Sequence, residues 1–342
     1  PLNKNHLFDI ASLTKIMATM PLLMTHYEDH ENGGSDFLDA HFSHLLPEFK
    51  QTILDSIQIK DVLAHQSGLP GWIPFYQDFI MPDGTLSKDY FSAKETEDKN
   101  ILITPSLFTS RKIRDTIFKS ITSVQLGESH YRYSDLGFYL FQRFLEKEYK
   151  QNIDQILKTD WYNPMDLEMT YSPLENGYLK SDIAPTEYDS TFRRIQIHGT
   201  VHDQGAALLG GVAGHAGLFA NASSVGKMMQ MFLNGGSYNG YEYLNSETID
   251  LFVKCFSCDS GNRRGLGFDR PQIDGDGPTC GCVSPKSFGH TGFTGTFAWA
   301  DPESGIVLVF LSNRIFPDAE NKKIYELDIR TRIQQAVQNC IL

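Results

Sequence analysis

The chain has 342 residues, 41% of them apolar and 21% charged, enough to bury a full core and far from the composition of a disordered polymer. Its 30 Lys and Arg against 42 Asp and Glu leave a formal charge of -12, which opposes a nucleic-acid partner and an anionic membrane surface. No apolar run approaches the roughly 20 residues of a membrane span, and the first residues lack the basic flank and apolar stretch of a signal peptide.

Apolar residues recur at helical spacing from Ala11 to Tyr27 (Leu13, Ile16, Met17, Met20, Leu23, Met24), which predicts a helix kinked or ended near Pro21, with Ser12 at its start. A short helix is expected at Asp61 to His65, stopped by Gly68 and Pro70, and then a long polar and aromatic loop through Pro74 and Pro82 to Asp98. Helical patterns follow at Asp135 to Tyr149, Asn152 to Trp161, Ser223 to Leu233 and Ser246 to Phe256, the last two opening on a capping-type Ser. Three short runs rich in aromatic and β-branched residues, Ser287 to Gly292, Thr296 to Ala300 and Gly305 to Ser312, predict antiparallel strands. From Ile324 to Cys340 the pattern returns to helix, expected to pack on that sheet.

The first helix opens with S-L-T-K, and a three-residue step brings Ser12 and Lys15 to one face. A serine hydroxyl is a weak nucleophile at neutral pH, and a desolvated lysine with a depressed pKa can take its proton. The helix N-terminus adds a free N–H and a positive dipole end where an oxyanion would develop. One such tetrad is expected by chance, and Ser224 to Lys227 (S-V-G-K) supplies a second, so the motif alone does not make a site.

Two later motifs choose between them: Y-S-D at Tyr133 to Asp135, and H-T-G at His290 to Gly292 followed by F-T-G. In this order the three resemble the serine β-lactamase and penicillin-binding protein superfamily, in its class C, D-alanyl-D-alanine carboxypeptidase and esterase branch. V-L-A-H-Q-S-G-L-P-G-W at Val62 to Trp72 and G-V-A-G-H-A-G-L-F-A at Gly211 to Ala220 look like the same family, so the likeness covers nearly the whole chain. It implies an α/β (α+β) fold in which an antiparallel sheet is flanked by helices beside a helical subdomain. Residues 1–205 would hold the S-x-x-K helix and the mainly helical part, residues 206–342 the sheet, with the catalytic groove between. The resemblance makes Ser12 the acylated nucleophile, Lys15 its proton acceptor and Tyr133 the shuttle to the leaving group. Ser12 and Phe293 would supply oxyanion N–H groups, and His290, Thr291 and Gly292 would face the substrate. No cofactor is implied; the expected partner is a small ester or a peptidoglycan-derived, D-amino-acid-containing substrate, in an extracytoplasmic setting.

The family precedes its S-x-x-K helix with a further helix and strands, whereas eleven residues precede Ser12 here, so a longer polypeptide and an unpaired sheet edge are expected. The Val201 to Asn221 block and F-G-H-T-G-F-T-G-T look like serine hydrolase domains attached C-terminally to family-three glycoside hydrolases of the β-N-acetylglucosaminidase type. That likeness leaves open a non-catalytic, muropeptide-holding role. Asp135, which the resemblance places among the substrate-binding residues, stands where the family usually has Asn, and an ionised carboxylate beside Lys15 would raise the lysine pKa and handicap it as a base. Two escapes are open: Asp135 points away, or the base role shifts to Tyr133 assisted by His290. Cys255-x-x-Cys258 and Cys280-x-Cys282 could form disulfides or hold zinc. His26, His30, His41 and His44 are read as showing no i, i+4 ligand pattern with a third partner, so no metal is expected.

Overall fold

The computed structural model describes residues 2–30, 34–272 and 277–340. A short strand β1 (Phe8–Asp9) leads through a π-helical turn (Lys15–Thr19) into α1 (Met20–Asp29). Pro21 does not end this helix as the sequence pattern suggests. Widening to the π turn lets Met20 N–H bond Lys15 O five residues back, and the Met17 carbonyl, which Pro21 cannot serve, accepts from the Tyr162 hydroxyl at 3.1 Å. α2 (Ile59–Leu63) follows, the short helix expected at Asp61 to His65 but set two residues earlier, with His65 outside it. The expected loop to Asp98 holds β2 (Phe91–Ser92), which joins β3 (Ile101–Thr104) and β4 (Leu107–Thr109) past its end in a small antiparallel sheet; α3 (Lys112–Thr122) follows, a helix not among those expected although Ile113, Ile117 and Ile121 stand at helical spacing.

α4 (Leu136–Tyr149) is buried nearly all round in its first half, as befits a central helix, and α5 (Ile153–Leu157) turns back after it. Next come β5 (Met169–Tyr171), α6 (Gln204–Leu208) and β6 (Leu218–Ala220), which pairs with both β1 and β5. α7 (Ala222–Leu233) and α8 (Ser246–Val253) begin one residue after an asparagine rather than being capped by the expected serines. At α7 the cap is Asn221, whose side chain accepts from Ser224 N–H at 2.9 Å.

The three predicted strands are present as β7 (Phe288–Thr291), β8 (Phe297–Asp301) and β9 (Ile306–Phe310), antiparallel in that order with His290 opposite Ala298. β8 is fully buried between the two outer strands, and β9 is half-buried along its length, with no further strand beside it among the described residues. α7 packs on β8 and β9. The expected C-terminal helix is two helices, α9 (Lys323–Glu326) and α10 (Ile329–Asn339), because Asp328 adopts a left-handed conformation (φ 50°) between them. One apolar core runs from Phe8 to Ala300 and takes in α1, α4, α7 and β8. Cys255–Cys258 and Cys280–Cys282 are both paired, and Cys340 is free and exposed.

Candidate active site

Ser12 is held by a tight connection between β1 and α1. β1 is fixed by β6, Asp9 turns its buried carboxylate back to accept Ala11 N–H at 2.9 Å and His202 N–H at 2.7 Å, and Ala11 takes a left-handed conformation (φ 48°) directly before Ser12. A buried non-glycine residue at positive φ is a strained position that its surroundings must hold in place. The turn then places Lys15 Nζ 3.2 Å from Ser12 Oγ. Lys15 is fully buried, and its ammonium also donates to Asp135 Oδ1 at 2.6 Å and to the His215 carbonyl at 3.2 Å. Burial pulls the Lys15 pKa down, but Asp135 and the nearby Tyr133 outweigh it and the net direction is upward. Asp135 therefore does not point away from Lys15. It occupies the N-cap position of α4 but spends its carboxylate on the lysine instead of on the helix N–H groups.

The Y-S-D loop is presented by the Val62 to Trp72 stretch. Arg132 N–H donates to His65 O, Ser134 Oγ to Pro70 O, Asp135 N–H to Gly71 O, and Ser134 N–H to His65 Nδ1. The Tyr133 ring is sandwiched near His65 and His290, with Lys15 Nζ 5.1 Å and Arg264 Cζ 5.3 Å from its centroid. Its hydroxyl is buried with no hydrogen-bond partner among the described residues, although it lies close enough to Lys15 and Ser12 for both to favour the phenolate. Burial is the stronger influence and raises its pKa, so the phenol is neutral.

On β7, His290 is buried, and its Nδ1–H donates to the Thr291 carbonyl at 2.7 Å, since a carbonyl can only accept. Nε2 is then an acceptor, and it is taken by Arg264 Nη1 at 3.1 Å. Burial and the Arg264 charge hold the His290 pKa well below its usual value. His290 is thus a neutral ring with its lone pair occupied, which removes it as an assisting base. Gly292 has no room for a Cβ: the Ile10 carbonyl lies 2.6 Å from where it would sit. Phe293 is half exposed, its ring stacked on His202 at 5.4 Å. The N–H groups of Ser12 and Phe293 have no acceptor among the described residues.

These groups open on one cavity of about 590 Å³ lined by Ser12, Tyr133, Asp135, His290, Thr291, Gly292 and Phe293. Sequence reasoning missed the remaining polar lining: Arg264, which also pairs with Asp269, and the couples His215–Asp203 and His202–Glu187. His215 lies inside the quoted Gly211 to Ala220 motif, which was a signal; Arg264 and Glu187 carry none. The second S-x-x-K is no site: Ser224 is buried and accepts Glu168 N–H, and Lys227 pairs with Asp166. The histidine reading also needs correction, because His26 and His30 are spaced i, i+4 and Glu148 of α4 completes a cluster of three.

The fold, with a serine and lysine on one helix facing a tyrosine loop and a strand-borne H-T-G across a groove, defines a serine hydrolase. The beta-lactamase family model matches residues 1–331, and the chain belongs to that family. A protein of Escherichia coli strain K12 that carries the provisional name D-alanyl-D-alanine carboxypeptidase is 31% identical over 333 residues, spanning 90% of this chain and 69% of that protein. Among solved structures, the D-amino acid amidase of Ochrobactrum anthropi SV3 superposes with a TM-score of 0.63 at 18% identity, covering 99% of this chain and 86% of the other. A penicillin-binding protein homologue from Caulobacter crescentus gives 0.59 at 17%, covering 92% and 79%.

Proposed function

We propose that Ser12 is acylated by an ester or by a D-amino-acid-containing peptide or amide, and that water then releases the acyl group. The observation that carries this reading is the hydrogen bond that Lys15 Nζ donates to Ser12 Oγ at 3.2 Å, with Ser12 lining a groove that Tyr133 and the H-T-G strand also line. In the fraction of molecules whose Lys15 is a neutral amine, Ser12 Oγ attacks the acyl carbon while its proton passes to Lys15, and the scissile C–O or C–N bond breaks as Tyr133 hands its proton to the leaving group and takes back the one held by Lys15. The free N–H groups of Ser12 and Phe293 suit the oxyanion. Thr291 and Gly292 bring the β7 edge against the substrate, and Arg264 supplies the positive charge that a substrate carboxylate needs. The carboxypeptidase and amidase names of the relatives agree with this substrate class. Two disulfides fit an oxidising, extracytoplasmic compartment.

One observation favours a second reading, a domain that holds muropeptide without turnover: Lys15 is paired with a carboxylate and kept as ammonium. The tie to glycoside hydrolases rests on the sequence likeness alone. Intact-protein mass spectrometry after a fluorophosphonate or penicillin probe separates the two readings. The enzyme is expected to gain one adduct that vanishes in Ser12→Ala and persists in Ser224→Ala; an adduct that survives Ser12→Ala, or none in the parent chain, rejects the acyl-enzyme.

A further inference from the structure

The ends of α1 and α4 remote from the groove carry a second chemical cluster. His26, near the C-terminal end of α1, His30, directly after it, and Glu148, near the end of α4, each offer one ligand atom, and the three atoms lie within 4.8 Å of one another. The two imidazole rings face each other at 4.1 Å. His30 Nδ1–H donates to the His26 carbonyl at 2.9 Å, which fixes the tautomer and leaves Nε2 with its lone pair, the orienting contact that metal-bound histidines use. His26 is 6% exposed, set against the rings of Phe37 and Phe144, and its Nδ1 is buried without a hydrogen-bond partner among the described residues. An unsatisfied buried nitrogen is costly, and none of the described residues around it compensates it.

We propose that His26, His30 and Glu148 bind a divalent transition-metal ion of the zinc class. Two imidazoles and a carboxylate form a donor set suited to Zn²⁺, with a fourth position left to water. Metal–nitrogen bonds near 2.0–2.1 Å in a tetrahedron put ligand atoms about 3.3 Å apart, so closure from the present spacing asks for about 1.5 Å at most. His30 and Glu148 are exposed, can move by that amount, and give the ion a way in. Asp29 adds its negative charge beside His26. The ion would tie together the far ends of the two helices whose near ends carry Lys15 and Asp135, while taking no part in the acyl chemistry.

The test is titration of the metal-stripped full chain with Zn²⁺ alone by calorimetry, with bound metal counted after desalting. One equivalent bound at micromolar affinity or tighter is expected, weakened at least about tenfold in His30→Ala and in Glu148→Gln, with Zn²⁺ raising the Tm of the parent and not of the variants. Both substituted side chains are exposed, so the variants keep the fold, which circular dichroism checks. Less than one equivalent in the parent, or parent-like binding in both variants, overturns the proposal. A Co²⁺-loaded parent without the visible absorption of a tetrahedral site overturns it as well.

Discussion

Lys15 and Asp135 set the chemical character of the groove. An opposite charge 2.6 Å from a buried ammonium favours the charged form, so the fraction of Lys15 free to take the Ser12 proton is small at neutral pH and grows only toward alkaline pH. Ester hydrolysis is therefore expected to be slow at pH 7 and to climb through the alkaline range. Asp135→Asn keeps an oxygen acceptor for Lys15 and removes the charge, so its kcat/KM profile should shift about 1–3 units toward lower pH, with a gain of about tenfold or more at pH 7. If the substituted enzyme is slower with an unshifted profile, Asp135 acts directly on substrate and the charge argument fails. His290 offers no rescue in either form, because Arg264 occupies its free nitrogen.

At the level of elements, catalytic geometry depends on how α1 meets its neighbours. The π turn at Lys15–Thr19 sets where Lys15 points, and it leaves the Met17 carbonyl to a single external donor, the buried Tyr162 hydroxyl. Thr19 Oγ donates to the Gly214 carbonyl and Lys15 to the neighbouring His215 carbonyl, so α1 is also stitched to the segment that enters β6. Tyr162→Phe removes only the hydroxyl and strands the Met17 carbonyl. It should cost about 1–3 kcal/mol, seen as a Tm lower by a few degrees, and it should reduce kcat more than it raises KM because neither Met17 nor Tyr162 lines the cavity. Unchanged stability would mean that the turn satisfies itself without Tyr162.

For the molecule as a whole, acid stability follows from two histidines that the fold buries in neutral form. The pKa values of His65 and His290 are both held well below the usual 6.5, first by burial and then by the Arg264 charge. A group protonated more readily in the unfolded chain favours unfolding as pH falls, so stability is full above about pH 6.5 and is lost below it until the folded values are reached. The pair contributes a slope of up to about 2.7 kcal/mol per pH unit. At lower pH the depressed carboxylates Asp189 and Asp203 act in the same sense, while Asp9, whose pKa burial raises, opposes them. Thermal unfolding between pH 7.5 and pH 5 should show Tm falling steeply with acid, and a Tm independent of pH over that range would mean that the two rings are solvated and titrate normally.

Local chemistry was legible in the order of motifs along the chain. Ser12 and Lys15 sit three apart on one turn, the three C-terminal strands alternate with turn residues, and Y-S-D and H-T-G each span three adjacent residues, so near-neighbour geometry is enough to read them. The small sheet β2 to β4 was not, because two- to four-residue strands carry too little periodicity to stand out from a loop. Nor could spacing alone tell which S-x-x-K is buried against a partner loop, since Ser224 and Lys227 meet the same local rule. What only the tertiary structure decided are the encounters between residues far apart in the chain. Asp135 meets Lys15 across 120 positions, Arg264 caps His290, and Glu148 joins His26 and His30. In the first two the charge state of a side chain is set by burial and by a neighbour that packing alone brings within a few ångströms, and in all three no local pattern encodes the distance.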